Sequence, residues 1–225
     1  MFPFYSICFL TNRLDNMKIG IIGAGNIGRT MARLFIAAGH EVALSNSRGP
    51  ESLKEIIDEL GPNARAETVD NAAAFGEVVL LAVPWRSPEA LPHPDLVANK
   101  VVIDAMNPYS ADSNVIDLGE YTSSEETARR LPDTLLVKAF NTIWYKHLAE
   151  QGDPAKPEAE RRAIFIASDD PSAKTVVADL IRAIGFAPVD AGSLREGGRK
   201  LQPDTPLYGK ELTATQAQEA LAEHN

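Results

Sequence analysis

Cysteine is almost missing from this chain: Cys8 is the only one among 225 residues. That excludes an intramolecular disulfide and any metal site built on several thiolates, and it fits a reducing cytoplasm. The four histidines, His40, His93, His147 and His224, have no metal-ligand spacing. His40 follows the helix-ending Gly39 and reads as structural; His147 reads as structural or exposed, and otherwise as a remote acid/base group. Tyr5, Tyr109, Tyr121, Tyr145 and Tyr208 are followed four positions later by Phe9, Ser113, Glu125, Ala149 and Leu212, so the Tyr-x-x-x-Lys pair of short-chain dehydrogenases is absent. A Gly-x-Ser-x-Gly elbow is absent too. The apolar stretch Met1–Leu10 is too short to span a bilayer and lacks the basic region and cleavage site of a secretory signal. Cations are outnumbered, 22 Lys and Arg against 31 Asp and Glu, for a net charge of −9. That balance argues against nucleic acid or an anionic membrane as partner, since both require clustered cations, and it leaves room for a local basic pocket.

A hydrophobic fraction of 44% with 24% charged residues is that of a soluble globular enzyme. Residues 1–16 are expected to be a dispensable extension ahead of Met17, the alternative being an arm that packs on a partner subunit. Residues 17–225 read as one domain, without internal repeat or linker. Lys18–Ile22 is a short, nearly all-apolar run, as a strand buried on both faces requires. A glycine turn follows, then a helix over Arg29–Ala38 with apolar positions three and four apart, then a strand at Glu41–Leu44. The alternation continues with a helix over Pro50–Leu60, a strand at Ala64–Val69 and a short helix at Asn71–Phe75. Further strands are expected at Glu77–Val83, Val101–Ala105, Thr134–Phe140 and Ala163–Ala167. A helix over Pro171–Ile184 and an extended piece at Ala187–Asp190 follow; Gly192–Tyr208 reads as mostly loop, and Thr213–Glu223 as a terminal helix capped near Thr213. Strands alternating with helices imply an α/β, doubly wound and mostly parallel sheet, a Rossmann fold in a single domain with a short C-terminal extension.

Gly23, Ala24, Gly25, Asn26, Ile27 and Gly28 form a G-x-G-x-x-G turn directly between a buried strand and a helix, the context in which it binds a dinucleotide. Gly23 permits the tight turn, Gly25 lets a pyrophosphate approach the backbone, and Gly28 lets the helix pack close to the sheet. About 20 residues on, an NAD site places a carboxylate for the ribose 2′-hydroxyl. Here the segment is Ser45, Asn46, Ser47 and Arg48: three short polar side chains and a guanidinium suited to a 2′-phosphate, which predicts NADP rather than NAD. In such sheets the ligand lies beyond the carboxyl ends of the strands. Those ends carry Val83, Pro84 and Trp85, then Asn107, then Phe140, Asn141 and Thr142. Trp85 is either a wall beside the nicotinamide or a core residue; Asn107 and Asn141 either present amides to the ligand or cap turns. No catalytic residue is assigned and no metal is expected.

Several segments together resemble the NADP-dependent deazaflavin-coenzyme (F420) oxidoreductase family, compact reductases related to the cytoplasmic domains of six-transmembrane metalloreductases. They are Met17–Gly28, the Ser45–Arg48 loop, the Val83–Trp85 strand end, the Val-Lys-Ala-Phe-Asn-Thr142 strand and Pro188–Leu194. The resemblance runs from Met17 to about Leu212. It implies a single Rossmann domain, usually dimeric, with NADP(H) on Gly23–Gly28 and Ser45–Arg48. The nicotinamide end would be lined by Val83, Pro84, Trp85 and Asn107, and the second ligand, a deazaflavin or flavin, bordered by Phe140, Asn141 and Thr142. Two alternatives stand beside this hydride transfer: a small imine or carbonyl reductase, and a non-catalytic NADP-binding sensor. Ferric or cupric reduction by analogy with the metalloreductases finds no support in the residues.

Overall fold

The computed structural model describes residues 16–223, so Cys8 and the expected extension up to residue 15 lie outside the described residues. β1 (Lys18–Ile22) is flanked by parallel neighbours on both sides, β2 (Glu41–Ser45) and β4 (Val78–Leu81). Its residues Ile19, Ile21 and Ile22 are fully buried, which is what burial on both faces of a parallel sheet demands. With β3 (Ala64–Glu67), β5 (Val101–Asp104), β6 (Leu135–Ala139), β7 (Ala163–Ala167) and β8 (Ala187–Gly192), the sheet has eight strands in the order β3-β2-β1-β4-β5-β6-β7-β8. The first six are parallel, β7 runs antiparallel to β6, and β8 follows β7 in parallel. The expected α/β, doubly wound, mostly parallel sheet is thus observed.

The direction reverses at β7. The connection from β6 contains the six-residue helix α5 (Tyr145–Glu150), and β7 starts from the end of the sheet at which β6 finished. Earlier crossovers use α1 (Asn26–Ala37), α2 (Lys54–Leu60), α3 (Val69–Phe75) and α4 (Ser123–Arg130). α1 buries Met31, Ala32 and Phe35 against one face of the sheet, together with Val177, Leu180 and Ile181 of α6 (Pro171–Ala183). The other face holds Ile22, Val79, Leu81 and Val102 under Ala72 and Ala73 of α3. β7 and β8 share a third apolar cluster with Leu201, Leu207 and the last helix.

Four expectations are corrected. The third strand stops at Glu67, because Thr68 accepts a hydrogen bond from Asn71 N at 3.2 Å and caps α3, which begins at Val69. The fourth strand is Val78–Leu81, shorter than Glu77–Val83. α4 was not anticipated, although Thr122 and Glu125 form a reciprocal capping box at its start. The segment 192–208 is mostly loop, as expected, and carries one short helix, α7 (Glu196–Lys200). There Gly197 lets the chain approach the sheet so closely that an added Cβ would lie 2.7 Å from Ala191 O. The terminal helix α8 (Ala214–Glu223) starts one residue later than expected, behind Thr213, whose Oγ1 accepts from Gln216 N.

Candidate functional site

Gly23 holds φ of +110°, a conformation that glycine adopts without a Cβ penalty, and its N–H donates to Ser45 O at 3.1 Å, tying the turn to β2. At Gly28 an added Cβ would sit 1.8 Å from Gly23 O, so any side chain would prise α1 off the turn. Over Gly25, by contrast, nothing lies within 4 Å of the Cβ position. Gly25 is the N-cap of α1, no side chain caps that helix, and its first turn carries no acidic residue. The amides there retain their full attraction for an anion.

The loop after β2 divides its labour. Ser45 is fully buried and its hydroxyl donates to Ile21 O at 3.0 Å, so it braces β1 instead of reaching a ligand, against expectation. Asn46 Oδ1 accepts from Arg48 N at 2.9 Å and its Nδ2 donates to Ser52 Oγ at 2.8 Å, which fixes the bend. The guanidinium of Arg48 has no partner among the described residues. Together with Ala24, Asn46 and Ser47 it lines a cleft of about 600 Å³ that begins at Gly23.

A second cleft of about 630 Å³ opens beyond the carboxyl ends of β1, β4, β5 and β6, lined by Asn26, Ile27, Asn107, Phe140, Asn141 and Thr142 among others. The two clefts share Gly25, Ala82, Val83 and Pro84 along their common rim. Asn107 and Asn141 are bonded to each other: Asn107 Nδ2 donates to Asn141 O at 2.9 Å, and Asn141 Nδ2 donates to Asn107 Oδ1 at 3.1 Å. Asn141 Nδ2 also donates to Leu201 O at 2.7 Å, and Asn107 Nδ2 to the Tyr208 hydroxyl at 3.1 Å. The amide donors are therefore engaged within the protein and do not point at a ligand. What remains is Asn141 Oδ1, buried without a hydrogen-bond partner.

Trp85 sits in the core at the border of the cleft: it is buried, its Nε1 donates to Ser123 O at 3.1 Å, and the Arg130 guanidinium stacks on its ring. Phe140 turns the chain out of β6 with φ of +62° while fully enclosed, and Trp144, half exposed, stands at the rim. His147 pairs with Glu211 at 3.1 Å and packs edge-on against Trp144, while His40 is buried and accepts from Met17 N at 3.2 Å.

One feature beneath the cleft was missed. Lys138 in β6 is wholly buried, its ammonium 3.3 Å from Asp104 Oδ2 at the end of β5 and donating to Met106 O. Asp104 also accepts from Met106 N at 3.0 Å and from the Ser124 hydroxyl at 3.2 Å. The group thus clamps the segment that delivers Asn107. Burial lowers the Lys138 pKa, and the charge of Asp104 opposes that shift. The signal was a lone lysine in the otherwise apolar Leu-Leu-Val-Lys-Ala strand, facing a strand that ends in aspartate. Among the described residues no three His, Cys, Asp or Glu side chains are disposed to hold a metal, and no helix is long and apolar enough to cross a membrane.

Comparison with known proteins agrees with this geometry. Residues 18–108 match the family described as NADP oxidoreductase, coenzyme F420-dependent. A hypothetical protein from Sinorhizobium meliloti shares 34% identity at a TM-score of 0.76, covering 88% of this chain and 95% of that one. A protein proposed to be an F420-dependent NADP reductase, from Arthrobacter sp. FB24, superposes with a TM-score of 0.69 at 23% identity over 93% of this chain and 91% of that one. Metalloreductase STEAP3 of Rattus norvegicus is 30% identical over 178 residues, 79% of this chain but 34% of that protein; the chain thus spans about a third of the length of the curated relatives it matches. Glycine turn, sheet order and strand-end cleft accord with these matches, and the chain belongs to the F420-dependent NADP oxidoreductase family, a family of oxidoreductases.

Proposed function

We propose that this chain transfers hydride between NADP(H), laid along the glycine turn, and a flat two-electron acceptor such as a deazaflavin or flavin seated in the strand-end cleft. The observation that carries the reading is the continuity of the two clefts through Gly25, Ala82, Val83 and Pro84. An elongated ligand can reach from Arg48 at one end to Asn107 and Phe140 at the other. The residues fit such a ligand: open space over Gly25, an uncapped helix start and an unpaired guanidinium.

In this reading Gly23 to Gly28 hold the pyrophosphate, and Arg48 with Asn46 and Ser47 faces the 2′-phosphate. Val83, Pro84 and Asn107 border the nicotinamide, while Phe140, Thr142 and Trp144 border the acceptor. NADP(H), when bound, supplies or takes up a hydride with its electron pair. The protein's contribution is to hold two rings face to face and to exclude water, and positioning of that kind supplies much of the rate. A non-catalytic sensor would have no use for a second cleft of this volume beside the first. We extend the reading to a cytoplasmic homodimer, as the resemblance implies, to be checked by sedimentation.

The test is titration of the purified protein with NADPH and NADH, followed by an acceptor screen with the deazaflavin coenzyme, FMN and riboflavin. Tight NADPH binding with deazaflavin- or flavin-dependent turnover is expected. Equal affinity for the two nucleotides, or binding without turnover of any acceptor, would contradict the cofactor or the acceptor half of the proposal, respectively.

A further inference from the structure

Three side chains from two distant parts of the chain meet at one oxygen in the strand-end cleft. Asn107 Nδ2 donates to the Tyr208 hydroxyl at 3.1 Å, and the Tyr109 hydroxyl donates to it at 3.2 Å. A phenolic oxygen carries one proton of its own. With two hydrogen bonds accepted, that proton is the group left over, and among the described residues nothing accepts it. Tyr208 lines the cleft. No carboxylate, histidine, lysine or cysteine lines the same cleft; its hydroxyls are those of Tyr109, Thr142, Tyr145 and Tyr208, and the phenols are the more acidic of these.

We propose that Tyr208 donates the proton that accompanies hydride transfer, with Tyr109 behind it as relay. The acceptor would then be one whose reduction leaves an electron pair on oxygen or nitrogen: a carbonyl or ring nitrogen conjugated to the carbon that takes the hydride. This rests on the hydride-transfer reading above and deepens it. Burial holds the Tyr208 phenol well above its usual range, so it is protonated at neutral pH.

A hydride with its electron pair passes from the dihydronicotinamide to the electrophilic carbon of the acceptor, and the π pair of that carbon moves to the heteroatom. The heteroatom takes the Tyr208 proton as the phenolic O–H bond breaks. Tyr208 then takes the Tyr109 proton along the existing hydrogen bond, and half-buried Tyr109 recovers one from water. The nicotinamide is oxidised by two electrons and the acceptor reduced by two.

The experiment compares two kinds of acceptor in the full chain with NADPH. A naphthoquinone or 5-deazariboflavin requires a hydride and a proton; the 5-methylphenazinium cation requires a hydride alone. For Tyr208→Phe the ratio of the first rate to the second should fall about 100-fold, and Tyr109→Phe should lower the same ratio less. Without any cofactor, alkaline titration by tyrosinate absorbance should show a phenol ionising well above the ordinary range, and Tyr208→Phe should remove it. An equal loss with both acceptors would make Tyr208 a structural support, and an unchanged ratio would remove it from the chemistry; either result overturns the proposal. If the wild-type protein reduces none of these acceptors, the hydride-transfer reading itself fails and takes this assignment with it.

Discussion

At the Arg48 end of the cleft the groups available to a ligand are main-chain amides and a guanidinium that nothing else holds. At the Asn107 end they are side chains already bonded to one another, with Lys138 and Asp104 clamped beneath them. The first end is a surface made by backbone shape, and it is sensitive to added atoms. The second is a prearranged network, sensitive to the loss of any member, because a buried polar group deprived of its partner bears its full desolvation cost.

The largest effect should come from the clamp. Lys138→Met leaves Asp104 buried without its counter-charge and should cost about 3–5 kcal/mol in urea unfolding. The double variant Lys138→Met/Asp104→Leu should recover much of that loss, and a double variant no better than the single one would refute the pairing. Next comes Arg48→Ala, which should weaken NADPH binding by about 1.5–3 kcal/mol through loss of a charge-assisted bond while NADH affinity stays put. A parallel loss for both nucleotides would dissolve the contrast between the two ends. Gly28→Ala should then lower stability by about 1–3 kcal/mol through overpacking against Gly23 O. Gly25→Ala should instead leave the melting temperature nearly intact and weaken the nucleotide, since its methyl would occupy the open space.

The smallest effect concerns His40, whose pKa is lowered by burial from the ordinary 6.5. The unfolded chain binds this proton more readily than the folded one. The stability due to neutral His40 is complete above pH 6.5 and is lost as pH falls below it toward the depressed folded value. His40→Gln should flatten the stability profile just below that pH, in a window above the titration of most carboxylates.

The same contrast decides how much could be read before folding. The Arg48 end comes from two segments within a single strand–helix–strand unit, where periodicity and glycine spacing are local signals; only Ser45 was misplaced, because its burial depends on the neighbouring strand. The Asn107 end joins residues about a hundred positions apart, and no local rule places Tyr208 against Tyr109. Asn107 and Asn141 were found by topology, but their mutual bonds follow from the parallel pairing of β5 with β6. α4 was legible in principle through Thr122 and Glu125. α7 was not, because Gly197 and Gly198 speak for a loop until the sheet that needs the small size of Gly197 is in place.

The junction between β6 and β7 is held by two registered pairs, Lys138 with Ala167 and Ala139 with Ile166, where the neighbouring parallel junction of β5 and β6 has four. It is the shortest ladder in the sheet. On one side of it lie the glycine turn and Arg48; on the other lies the chain that ends up carrying Tyr208 across the cleft. Lys138 is at once a rung of that ladder and the counter-charge of Asp104, so the sheet's shortest ladder and a buried ion pair share a residue. Amide exchange in β7 and β8 should then respond to substitutions at Lys138 before exchange in β1 does, making this one side chain the point through which the two halves of the sheet sense each other.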